Sequence, residues 1–133
     1  MSGAPAHSVA MQAEGCAQLD AVALDRLREL DPMGSSHLIE RVFAAFETSL
    51  SRLRPQLEAA RRDADASTIR LVAHTLKSSS AIIGALRLSS LCADVEQLAK
   101  ERHIDEASEK ITALVHETDA VLRALRRVPD TGL

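Results

Sequence analysis

From about Asp20 to Arg126, apolar residues recur at steps of three and four almost without interruption, the period of helices that each bury one face. Five segments emerge. The first runs from Asp20, an N-cap residue type, to Leu30 and presents Leu24, Leu27 and Leu30 before Asp31-Pro32 ends it. The second starts after Gly34-Ser35-Ser36 and aligns Ile39, Val42, Phe43, Phe46, Leu50, Leu53, Leu57 and Ala60; Pro55 removes one backbone donor, which predicts a kink, but lies away from that stripe. The third takes Asp65 as its cap and runs to Ile83, where Gly84 supplies a left-handed terminus. The fourth resumes at Ala85 and buries Leu88, Leu91, Cys92, Val95 and Leu98 or Ala99. The fifth, from about Asp105 to Arg126, offers Ala107, Ile111, Leu114, Val115, Val121, Leu122 and Leu125. Four long amphipathic helices with short links predict an all-α fold: an antiparallel up-and-down four-helix bundle, with the additional short N-terminal helix across one end. The bundle is expected over residues 19–127, between a flexible N-terminal tail, 1–18, and a C-terminal tail, 128–133.

Composition supports the helical reading and removes several functions. Aromatic residues make up 2 % of 133, Phe43 and Phe46 alone, against 46 % apolar types. A sheet domain draws more heavily on aromatic and β-branched residues, and stacking platforms for single-stranded nucleic acid need them. A net charge of −3 gives no global basic footprint for a duplex. Cys16 and Cys92 form no CxxC pair, so neither a disulfide framework nor a thiolate metal cluster is indicated, and a reduced cytoplasmic setting is the expectation. His7, His37, His103 and His116 share no metal-ligand spacing and read as tail or surface residues, so no metal and no cofactor are expected. No apolar run approaches the ~20 residues of a membrane span, and residues 1–18 lack the pattern of a signal peptide.

The third segment is chemically distinctive. Its buried stripe is Ile69, Val72, Ala73, Leu76, Ser80 and Ile83, which turns His74 outward. Arg70 lies one turn earlier on the exposed side, with Lys77, Ser78 and Ala81 one to two turns later. From Ala66 to Ala93 the chain has Arg70, Lys77 and Arg87 and no acidic residue, so +3 sits here against −6 elsewhere. A local basic patch around an exposed histidine suits a phosphoryl group or an acidic partner. With an unperturbed pKa of about 6.5, imidazole is substantially neutral at pH 7 and nucleophilic. Lys77 then stands ready to offset charge on phosphoryl oxygens, and small Ser78 and Ala81 leave room for a partner's active site. The plainer reading, a surface histidine on a surface helix, fits the spacing equally. A serine nucleophile in Ser78-Ser79-Ser80 is disfavoured because no orienting acid or oxyanion turn accompanies it.

The run His74-Thr75-Leu76-Lys77-Ser78-Ser79-Ser80-Ala81-Ile82-Ile83-Gly84-Ala85 resembles the signature of histidine-containing phosphotransfer (HPt) domains: His, a spacer, Leu, Lys, small residues, then Gly-Ala. The likeness extends over roughly Leu19 to Arg127, including the Phe pair of the second segment and the Leu-x-x-x-Val-Glu run of the fourth. It implies that His74 is a phosphoacceptor passing phosphate between receiver-domain aspartates in a two-component phosphorelay. Lys77 matches the family lysine that supports the phosphoryl group. Glu96 falls where the family places a polar side chain, often Gln, that bonds the inner imidazole nitrogen; otherwise it is a solvated carboxylate of the fourth helix. Ser78 departs from the family's usual Gly, adding a hydroxyl that either meets the phosphoryl group or bonds back to the carbonyl of His74. Arg70, Leu71, Ser78 and Ala81 would form the docking surface.

The implied partners are receiver domains of response regulators or a hybrid sensor histidine kinase, met by a monomeric carrier. A docking bundle that does not transfer is the alternative, against which the His74–Lys77 pair speaks. A self-phosphorylating kinase segment would resemble His followed by an acidic residue, whereas Thr75 follows here. No Gly-rich nucleotide-binding run is present either, so phosphate has to arrive from another protein.

Overall fold

The computed structural model describes residues 17–128; most of the expected N-terminal tail and residues 129–133 lie outside it. Five helices follow one another: α1 (Ala21–Glu29), α2 (Leu38–Arg62), α3 (Ala66–Ile82), α4 (Leu86–Lys100) and α5 (Ile104–Leu125). All the described secondary structure is helical, and short links make α2 to α5 an up-and-down antiparallel bundle. The pairs α3–α4, α4–α5 and α2–α3 pack most closely, and α2–α5 is looser than these.

Three of the four connections are built alike. After α2, α3 and α4 one residue turns left-handed: Ala64 at φ 53°, Gly84 at φ 80° and Arg102 at φ 62°. The next N–H in each case reaches back five residues, from Asp65 to Ala60, Ala85 to Ser80 and His103 to Leu98, which satisfies an end carbonyl. That same residue then serves as N-cap of the following helix. The sequence advertised only Gly84, because Ala and Arg carry no left-handed signal. Gly84 is also required sterically: a Cβ there would stand 2.8 Å from the Asp20 nitrogen, whose N–H donates to the Gly84 carbonyl.

The caps expected at Asp20 and Asp65 are made, each carboxylate accepting the N–H three residues on. Thr68 hydrogen bonds hold the Asp65 carboxyl below its ordinary range. At α2 the cap is remote: His37 is left-handed and makes no side-chain cap, while Asp31 accepts from the N–H groups of Ser36 and Leu38.

The core follows the apolar stripes. Leu24, Leu27, Phe46, Leu57, Leu76, Leu88, Ile111 and Leu114 are buried, and α2 runs on through Pro55 with that residue exposed. Leu30 is a correction: it was expected on the buried stripe of α1 and is 75 % exposed, because α1 ends at Glu29 and the chain turns away. Val42, Val115 and Leu122 only flank the core, whereas Thr118 and Ala124 are buried members that the apolar pattern did not mark. Arg54 pairs with Asp119 at 2.8 Å, and Arg61 bonds Ser108 and Thr112, so polar side chains bridge α2 to α5.

Candidate functional site

α3 presents the site and α4 backs it. The stripe Ile69, Val72, Ala73, Leu76, Ser80 and Ile83 is buried in full, which fixes the rotation of α3 and leaves the His74 side chain 60 % exposed. Nδ1 of His74 lies 2.9 Å from Oε2 of Glu96 on α4, and Nζ of Lys77 donates to Oε1 of the same carboxylate at 2.7 Å. One carboxylate therefore holds two side chains that are three residues apart on the neighbouring helix. Lys77 first, and then His74, hold the Glu96 carboxyl below its ordinary range, against the opposing effect of partial burial. An ionised carboxylate only accepts, so Nδ1 is the donor in this contact and Nε2 is the ring nitrogen that Glu96 leaves unengaged.

The register between the two helices is set close by. The Ser89 hydroxyl donates to the Lys77 carbonyl at 2.9 Å, two turns before Glu96 on α4. Between them Cys92 is fully buried; desolvation pushes its thiol up to about 12, with the Glu96 charge adding to the rise. It is a packing residue.

The other sequence-selected residues divide. Arg70, Leu71, Ser78 and Ala81 are all exposed on the outward side of α3, with Leu71 at 66 %. Ser78 does not make the bond to the His74 carbonyl weighed for it; Thr75 and Ser79 make the bonds of that kind, to the carbonyls of Leu71 and Thr75. Ile82, exposed at 57 %, belongs to the same surface, off the buried stripe on which Ile83 lies. Beside it Val42, Ala45, Phe46 and Ser79 line a mainly apolar groove of about 280 Å³ between α2 and α3.

The basic patch is smaller than the linear count implied. Arg87 turns toward α5, where its Nε lies 3.3 Å from Glu117, and Lys77 is matched by Glu96. Among the described residues, no group of three or more His, Cys, Asp or Glu side chains stands together as a metal site, and no helix is long and apolar enough to cross a membrane.

A bundle whose third helix displays a histidine, contacted from behind by a side chain of the fourth, defines a class of histidine-based carriers. The chain belongs to the Hpt domain family, whose model matches residues 41–125, and with it to the histidine phosphotransfer proteins of phosphorelays. In three dimensions it is similar to histidine-containing phosphotransfer protein B (HptB) from Pseudomonas aeruginosa PAO1. The TM-score is 0.73 at 27 % identity, over 82 % of this chain and 91 % of that one. Among curated proteins none matches the chain in sequence.

Proposed function

We propose that His74 is the phosphoacceptor, that Glu96 orients its ring, and that the chain carries phosphate between aspartates of receiver domains. The observation that supports this most directly is the contact of His74 Nδ1 with Glu96 at 2.9 Å beneath an otherwise open ring. The lone pair on Nε2 attacks the phosphorus of an aspartyl phosphate. The P–O bond to the aspartate breaks, and its electron pair leaves on the carboxylate. The ring gains a positive charge and keeps its Nδ1 proton on Glu96; transfer to the next aspartate is the reverse, with the pair returning to Nε2.

Lys77, on Glu96 at rest, holds that carboxylate in place, and its flexible stem lets the ammonium be shared with a phosphoryl group on Nε2. Arg70, Leu71, Ser78 and Ala81 form the docking surface around the ring. The carrier unit spans residues 19–127 and works as a cytoplasmic monomer without metal or nucleotide, its phosphate coming from a receiver domain or a hybrid kinase. The test is to mix the chain with a receiver domain phosphorylated on aspartate and follow acid-labile label. The parent should acquire it and His74→Gln should not; equal labelling of the variant would overturn the assignment.

A further inference from the structure

Apolar packing is non-directional and tolerates a small slide or rotation of one helix on another, whereas the contact of Glu96 with His74 needs a single register. The link after α3 fixes only the start of α4, through the Ala85 N–H on the Ser80 carbonyl, and Glu96 lies three turns further on. Between the two stands Ser89.

Its hydroxyl behaves unlike four others of the bundle. Thr75, Ser79, Thr112 and Thr118 each donate to a carbonyl three or four residues back in their own helix. Ser89 instead crosses to α3 and donates to the Lys77 carbonyl at 2.9 Å, using the second lone pair of an oxygen whose first serves the helix itself. Among the described residues this is the one side-chain hydrogen bond between α3 and α4 in which Glu96 takes no part. Ser89 precedes Glu96 by two turns less about 20°, so both lie on one side of α4, with buried Cys92 between them. Lys77 is thereby tied to α4 twice, by its carbonyl to Ser89 and by its ammonium to Glu96 at 2.7 Å. A slide of α4 by one residue, about 1.5 Å, would break the Ser89 bond and carry the Glu96 carboxylate away from both His74 and Lys77.

We infer that Ser89 is a positioning residue for the transfer: its hydrogen bond to the Lys77 carbonyl sets the register of α4 on α3 at which Glu96 meets the His74 ring. The inference rests on His74 being the phosphoacceptor, and it adds a residue outside the run from His74 to Ala85.

Two readouts on the full chain test it. The ¹⁵N shifts of the His74 ring, taken above its titration, report the share of rings protonated on Nδ1. The rate of ³¹P-detected phosphohistidine formation from phosphoramidate reports reactivity without a protein partner: Nε2 attacks phosphorus, the P–N bond of the reagent breaks, and ammonia leaves with the electron pair. Ser89→Ala, Ser89→Thr, and Ser90→Ala at the exposed serine next along α4 are compared with the parent. Alanine is the best helix former, so Ser89→Ala keeps α4. It should lower the share of Nδ1-protonated ring and slow labelling about fivefold, the change equivalent to one net hydrogen bond of about 1 kcal/mol. Ser89→Thr keeps a hydroxyl and should stay within about twofold of the parent, and Ser90→Ala should match it. A Ser89→Ala chain with the parent's ring shifts or the parent's rate overturns the inference, as does an equal loss in Ser90→Ala. If the parent itself takes no label on His74, the phosphoacceptor reading fails instead, and with it the transfer that Ser89 serves.

Discussion

At the scale of single residues, Glu96 joins His74 and Lys77 on one carboxylate. Its carboxyl is held below the ordinary range chiefly by the Lys77 hydrogen bond and then by His74. A group with a depressed folded-state pKa stabilises the fold above its unfolded value, near 4.5, and loses that contribution as pH falls through the folded value. Glu96→Gln should therefore flatten the loss of thermal stability between pH 5 and pH 3, while keeping an acceptor for His74 Nδ1. Melting curves across that range check it, and an acid limb identical to the parent's would show that the Glu96 charge is not coupled to folding. Lys77→Ala removes a partly exposed ion pair of a kind worth about 0.2–1 kcal/mol, so its effect on stability should be small. The pairing of His74 with Lys77 on one exposed helix face was legible in a local motif. Their common partner was legible only as a family position, because the contact spans 19 or more residues and depends on the register of two helices.

At the scale of elements, the stripes were read almost completely and the ends less so. Every residue assigned to the buried face of α3 is buried, since one long period fixes one rotation. Links are harder because their determinants are backbone angles: Ala64 and Arg102 adopt the same left-handed turn as Gly84 without a residue type that signals it. This difference carries a paired prediction. Gly84→Ala should lower the melting temperature by several degrees, since a left-handed non-glycine costs about 1–2 kcal/mol and the new Cβ meets the backbone of Asp20. Ala64→Gly should raise it by a few degrees, relieving the same left-handed strain. Thermal denaturation of both variants checks the pair. A stabilised Gly84→Ala would mean that α1 does not depend on that close approach, and with it the seating of the helix over the end of α3.

At the scale of the molecule, charge counted along the chain and charge displayed on the surface differ. The stretch around His74 carries +3, yet Arg87 faces α5 and Lys77 is matched by Glu96, because successive residues on a helix point 100° apart. Only Arg70 of the three is exposed without a partner among the described residues, and Lys100 on α4 is another such cation from outside the stretch. The fold was thus readable from periodicity, while the electrostatic surface required the packing. The consequence for association depends on range. At about 0.1 M salt, fields persist for roughly 10 Å, so an acidic partner on the α3–α4 face feels Arg70 and Lys100 more than the negative remainder of the chain. At about 0.01 M the range grows to roughly 30 Å, enough to span a small domain, and the net charge of −3 then opposes approach. Binding of an acidic receiver domain should accordingly be tightest near intermediate salt and weaken both toward 0.5 M and toward 0.01 M. Arg70→Gln/Lys100→Gln should remove the high-salt limb and leave the low-salt repulsion. Titration calorimetry across that salt series checks it, and affinity that keeps rising down to 0.01 M would show that the net charge of the chain has no part in the encounter.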